Sequence, residues 1–193
     1  MPLGETFPAV LDAARLGESW AWEALYRDLA GQLLGYLRGQ GAHEPEDLLG
    51  DVWVQLARNL DRFTGDESGF RSWVFTVAHH RIVDERRRRS RRPVASLEEL
   101  GAIPESAHHS DAETDALVRV GAAEVHDLLA DLTPEQRDVL LLRLFADLTI
   151  AQIAALTGRR VGAVKALQRR ALAALSDRLE ARTPSRPPVG NGE

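Results

Sequence analysis

At 193 residues the chain has room for one large or two small domains. Cysteine is absent, which excludes a disulfide framework, a thiol nucleophile and Cys-ligated zinc. The net charge of −5 argues against an anionic partner only as a sum, because the layout is segregated: arginines cluster at 81–92, basic residues at 159–182, and 98–115 carries acids without lysine or arginine.

No apolar run is long enough to span a bilayer and the start lacks a signal-peptide pattern, so a cytoplasmic protein without membrane insertion is expected. Residues 1–18 suggest one short helix around Pro8 to Leu16. Ser19 is placed to cap a second helix through about Arg38, with Trp22, Leu25, Leu29, Leu33, Leu34 and Leu37 apolar and Gly39 and Gly41 ending it. Pro45 opens a third helix with Glu44, Glu46 and Asp47 at its positive end. Its buried stripe is Leu48, Leu49, Val52, Trp53, Leu56 and Leu60.

Thr64 to Gly69 is a polar loop. A fourth helix from about Gly69 turns Phe70, Trp73, Val74, Val77 and Ile82 inward, then runs into an arginine-rich end that Pro93 stops. From Val94 to about Ser110 the pattern lapses, and helical periodicity returns from Glu113 to Leu129. Residues 183–193, rich in proline, read as a disordered tail. No segment alternates for long enough to argue a strand. The expected fold is all-α: two small helical domains, 19–93 and 112–182, joined by a flexible acidic linker at 94–111.

The C-terminal unit is the most informative. Thr133-Pro134-Glu135-Gln136 reads as a capping box with proline at the first helical position, and Thr149 with Gln152 repeats it. Gly158 ends the second of these helices. A short helix, a glycine turn and a longer basic helix from about Val161 form a helix-turn-helix. On that last helix Val164, Ala171, Leu172, Leu175 and Leu179 are expected on the buried side. Gly162, Ala166, Arg169 and Ala173 face out, flanked by Lys165 and Arg170, with Arg159 and Arg160 at the start. Such a small, basic face lets backbone approach a groove while arginines reach phosphate or guanine. The plainer alternative is a helical hairpin with a solvated charged face.

Seven arginines fall within residues 81–92, more than a match to the negative helix end requires, and nucleic acid is the economical counter-charge. His79 and His80 point about 100° apart, a poor metal chelate. His79 reads as packed or solvated, and His80, on the side of Arg87, as a candidate base or phosphate contact.

The chain resembles the two-domain extracytoplasmic-function (ECF) sigma factors of bacterial RNA polymerase. The marks are Glu46-Asp47-Leu48-Leu49-Gly50-Asp51-Val52-Trp53, Phe63-Thr64-Gly65-Asp66, Phe70 to His79, Leu132 to Leu140, and Val161-Gly162-Ala163-Val164-Lys165, all in order. The resemblance implies core RNA polymerase and promoter DNA as partners, an anti-sigma factor as a further possible one, and no cofactor or enzymatic activity. It implies that Asp47, Asp51, Gln55 and Arg58 dock on the polymerase clamp. The −10 element's flipped base is then captured by Thr64, Gly65 and Asp66, with His80, Asp84, Arg87 and Arg88 contributing. The −35 element is read by Arg159, Arg160, Gly162, Ala163, Lys165, Ala166, Arg169 and Arg170.

Two departures matter. Gly50 stands where the family often has glutamine, removing one polymerase contact, and Val164-Lys165-Ala166-Leu167-Gln168 replaces the usual Val-Lys-Ser-Arg-Leu. Base readout is then thin, and groove shape correspondingly important. The competing function is a helix-turn-helix regulator that binds duplex DNA as a dimer and ignores polymerase. It leaves the arginine-rich helix and the acidic tether without a use. A helical hydrolase would need a metal or acid–base constellation, and none of its motifs is present.

Overall fold

The computed structural model describes residues 2–91 and 128–182, and among these every regular element is helical. A 3₁₀ turn at Gly4–Thr6 leads into α1 (Phe7–Arg15), followed by α2 (Ser19–Gly39), α3 (Pro45–Asn59) and α4 (Glu67–Arg91). The second half contributes α5 (Pro134–Phe145), α6 (Ile150–Thr157) and α7 (Val161–Arg182). The expected linker lies outside the described residues, as do Pro93, the tail and all of the expected helix from Glu113 to Leu129 except residues 128 and 129, which are helical.

The first half is a bundle whose core is set by helical spacing. Leu25, Leu29, Leu33, Tyr36 and Leu37 of α2 are buried against Leu48, Leu49, Val52 and Leu56 of α3 and Phe70, Val74, Phe75, Ala78 and Ile82 of α4. Helix α1 has Pro8 in its first turn and buries Phe7, Val10, Leu11 and Ala14. It lies on α2, where the Trp22 indole N–H donates to Ala14 O at 3.0 Å. Arg71 is held in the interior by Asp28 at 3.3 Å, where side-chain exposures of 16% and 5% make it the least hydrated ion pair among the described residues of this half.

Two boundaries differ from expectation. Helix α2 is preceded by Glu18 in extended conformation, so Ser19 is its first residue and not its cap. Helix α4 starts at Glu67, because the Asp66 carboxylate accepts the Gly69 N–H at 2.8 Å and so caps a turn earlier than Gly69. Gly39 and Gly41 end α2 as expected, but by different means. Gly39 closes α2 as a buried residue, and the left-handed turn falls to Gly41 at φ +74°.

The reason for Gly39 is α5, which crosses α2. A Cβ on Gly39 would sit 3.0 Å from Leu141 Cδ1, and one on Gly35 would sit 2.5 Å from Phe145 Cε1. The two glycines therefore form a seam that admits the side chains of the other half. Asp138 adds a polar edge: Arg86 reaches it at 3.5 Å while its other nitrogen donates to Gln40 O at 2.9 Å. The N-terminal and C-terminal halves are thus packed together through α2, α4 and α5.

Candidate nucleic-acid interface

The C-terminal unit is assembled by local rules. Thr133 Oγ1 accepts the Gln136 N–H while Gln136 reaches back to Thr133, and Thr149 with Gln152 does the same at α6. Between them the chain turns at Asp147, the one non-glycine with positive φ (+51°) among the described residues. Gly158, at φ +66°, caps α6 and sends the chain into α7. The result is a helix-turn-helix in which α7 packs on α5 and α6.

The buried stripe of α7 is Val164, Leu167 and Ala171, with Ala174 and Leu175 partly covered. This corrects two expected positions: Leu172 and Leu179 are about half exposed, because they lie roughly 100° from a stripe that repeats every three to four residues. The outward assignments hold their places. Gly162, Ala163, Lys165, Arg169 and Arg170 are exposed, as is Arg160, and Ala166 is half-covered. Arg159 is exposed but engaged with Glu135 at 3.7 Å. The Glu135 carboxyl is held below its ordinary range, first by a backbone N–H at the helix start, then by Thr133 and Arg159. An exposed pair of this kind is weak enough to exchange for phosphate.

Helix α4 divides its cations. Arg86 serves the seam with α5. Arg87 lies 3.7 Å from Asp84, and Arg89 donates to Glu85 at 3.0 Å. Arg88 donates only to the Asp84 carbonyl, so its charge has no acidic partner among the described residues. His80 is exposed, on the solvent side with Arg87. His79 is buried, and its Nδ1 lies 3.0 Å from the Tyr36 hydroxyl. Burial pushes the imidazole below its usual pKa of 6.5, with His80 and Arg86 adding to the effect and Asp138 opposing it. Burial likewise drives the Tyr36 phenol far up, so the hydroxyl stays protonated beside the His79 ring. His79 is therefore a packed histidine.

The polar loop between α3 and α4 leaves Thr64, Gly65 and Asp66 exposed. Beside it opens a cleft of about 420 Å³ lined by Gln55, Asn59, Arg62, Phe63, Thr64 and Trp73. Phe63 stacks on Trp73 with ring centroids 5.4 Å apart and planes 13° apart, and Phe70 backs both rings edge-on. The Gln55 carbonyl oxygen Oε1 accepts from Arg81 Nε at 3.0 Å. The cleft thus offers aromatic surface, amide groups and a guanidinium together, a set suited to one planar heteroaromatic ring.

The four residues assigned to polymerase docking do not share one surroundings. Asp47 and Asp51 are exposed and line a cleft with Glu44, Glu46, Glu85 and Arg88, next to a residue assigned to DNA. Gln55 lines the aromatic cleft, and Arg58 is exposed in the last turn of α3. Reading the sequence missed Asn59, Arg62 and the half-exposed stack of Phe63 and Trp73. Spacing turns Trp73 inward, yet in the fold it lines the cleft beside Phe63.

Two family models match the chain, one described as Sigma-70 region 2 over residues 21–92 and one as Sigma-70, region 4 over residues 122–175. The ECF RNA polymerase sigma factor ShbA of Streptomyces griseus is 34% identical over 143 residues, covering 74% of this chain and 75% of that protein. The ECF RNA polymerase sigma factor SigC of Mycobacterium tuberculosis is 30% identical over 174 residues, covering 89% and 90%. Among solved structures, CnrH in complex with the cytosolic domain of CnrY superposes with a TM-score of 0.66 at 23% identity, covering 93% of this chain and all of that one. The sigma factor RpoE bound to the anti-sigma factor NepR, from Bartonella quintana, gives a TM-score of 0.58 at 19% identity. At those identities the two structures speak for the fold.

Proposed function

The chain belongs to the extracytoplasmic-function family of RNA polymerase sigma factors, and on that premise we propose how its surfaces divide the work. As a sigma factor it binds core RNA polymerase, recognises promoter elements and promotes strand opening. Residues 19–93 form the polymerase and −10 domain, and residues 112–182 the −35 domain, joined by the acidic linker. Asp47, Asp51 and Arg58 meet the polymerase. Thr64, Gly65 and Asp66 guide an extruded base of the non-template strand into the cleft beside Phe63 and Trp73, with Arg88 on the neighbouring phosphates. Holding that base by stacking offsets about 1–3 kcal/mol of the unpairing cost.

Helix α7 enters the major groove of the −35 element. The observation that carries this reading is the face of α7 itself: Gly162, Ala163, Lys165, Arg169 and Arg170 stand exposed opposite a stripe buried against α5 and α6. Small residues there permit close backbone approach, and the cations meet phosphate. The protein supplies no catalytic group of its own and works in the cytoplasm beside the polymerase. An anti-sigma protein, as in the RpoE complex, is a further partner under this reading. A plain helix-turn-helix regulator is disfavoured because the region 2 match and the α4 surface would have no use.

Run-off transcription with purified core polymerase on genomic fragments tests the whole. Start-site selection that depends on the added chain supports it. A chain that leaves core polymerase without start-site preference would overturn it.

A further inference from the structure

The N-terminal helix packs directly on the loop to which base capture is assigned. Arg15 Nη2 donates to the Phe63 carbonyl at 2.6 Å, and Asp12 orients the same guanidinium from 2.8 Å. At the other edge of the loop the Glu67 carboxylate accepts two consecutive backbone N–H groups, Leu3 at 2.6 Å and Gly4 at 2.9 Å. Between these ties Phe7 packs on Phe70 at 5.6 Å, behind the Phe63–Trp73 stack. Each tie is charge-assisted and reaches across more than forty residues of sequence, so neither is a by-product of helix formation.

We propose that the N-terminal segment, through Arg15 and through Glu67's grip on Leu3 and Gly4, is a positioning clamp that presets the Phe63–Asp66 loop for base capture. This deepens the −10 reading above and rests on it. The Phe63 ring stack and the Asp66 cap fix the two ends of residues 63–66, and the N-terminal ties add to that order, so less of it is left for the DNA to impose. Ordering them in advance transfers that entropy from binding to folding. Arg15 and Glu67 are positioning residues, acting through the loop and not on the base.

The test uses the full chain assembled with core polymerase and a randomised single-stranded DNA pool, with the sequence enriched by the wild-type holoenzyme as probe. Arg15→Ala and Glu67→Ala should each weaken probe binding and its discrimination against a changed captured base on the order of tenfold. Core-polymerase affinity and melting temperature should stay near wild type. Arg15→Lys, which restores a cation to the Phe63 carbonyl, should recover most of the loss. Asp12→Asn, an exposed change that only loosens Arg15, should give a smaller loss of the same kind.

Wild-type discrimination in all four variants overturns the clamp. A fall in core affinity and melting temperature that parallels the probe loss overturns it too, since that is plain misfolding. Thr64→Ala separates the two readings. If it lowers discrimination while the clamp variants do not, the clamp alone is wrong. If it too leaves discrimination intact, base capture by this loop fails and the clamp falls with it.

Discussion

Replacing Gly35 with leucine should part the two halves of the molecule without unfolding either. A side chain at this position begins 2.5 Å from the Phe145 ring, inside any tolerated approach, so the ring or the whole of α5 must move. Overpacking of this kind costs about 1–3 kcal/mol. The same change removes a glycine from the interior of α2, which favours the isolated helix by roughly 0.5–1 kcal/mol. The two effects have opposite signs on different objects: the seam loses, and the first domain gains. A shift of about 2 kcal/mol moves an open–closed equilibrium some thirtyfold, on the scale of about 1.4 kcal/mol per decade. Small-angle scattering should show a larger radius of gyration for Gly35→Leu than for wild type, with the melting temperature of residues 2–91 unchanged or raised. Phe145→Ala, which deletes the knob and leaves the hole, should also expand the molecule. Identical scattering for all three proteins, with a lowered melting temperature in Gly35→Leu, would show that the seam is ordinary core and refute the reasoning.

Stability should fall with acid through His79. Its folded pKa lies below 6.5, so the unfolded chain binds the extra proton first; the contribution is complete above about pH 6.5 and is lost as pH drops below it. Melting curves from about pH 7.5 to about pH 5.5 should show this loss, and His79→Gln, with Asp138, Arg86 and His80 left in place around it, should flatten it. Thr133→Ala should lower stability by about 1 kcal/mol by removing the cap of α5, read by denaturant melts. Asp47→Arg with Asp51→Arg should abolish transcription while leaving duplex DNA affinity alone, and retained open-complex formation would rule out their docking role. Arg169→Ala with Arg170→Ala should reduce the slope of log affinity against log salt by roughly 2, and an unchanged slope would mean that neither touches phosphate.

What could be read in the chain beforehand follows the range of the physics. The two capping boxes, the Gly158 turn and most of the stripe of α3 are decided by residues within a turn or two of one another, and all are present in the fold, although Trp53 is only partly covered and Leu60 falls in the 3₁₀ turn after α3. The start of α4 went astray by one short-range bond, from Asp66 to Gly69, because Asp66 sits in a run of polar residues any of which could cap. Long-range choices were not legible. Gly39 has the composition of a helix stop and the function of a docking seam, and only Leu141, a hundred residues away, distinguishes them. The run of arginines at the end of α4 likewise reads as uniform, whereas Arg86 is committed to Asp138 and Gln40 and Arg88 is not committed to an acid. In the candidate site, the loop and the recognition face were visible as motifs. The aromatic cleft and the Arg15 tie were not, since both depend on which helices become neighbours.

The closed packing of the two halves sets a condition on promoter binding. Elements at −10 and −35 are about 25 base pairs apart, roughly 85 Å along straight duplex at about 3.4 Å per step. A compact chain of this length has a radius of gyration of about 16 Å, and α4 itself is only about 37 Å long. With α5 seated on Gly35 and Gly39, a molecule of that size cannot span about 85 Å, so under the promoter reading proposed above the seam would have to open for both surfaces to engage such a duplex. Opening then breaks the seam and leaves the fold of each half intact. Apparent promoter affinity is lowered by the fraction of molecules that are open, and a seam of about 2 kcal/mol would lower it some thirtyfold. On this arithmetic Gly35→Leu should bind a two-element promoter more tightly than wild type and a single −35 duplex equally well.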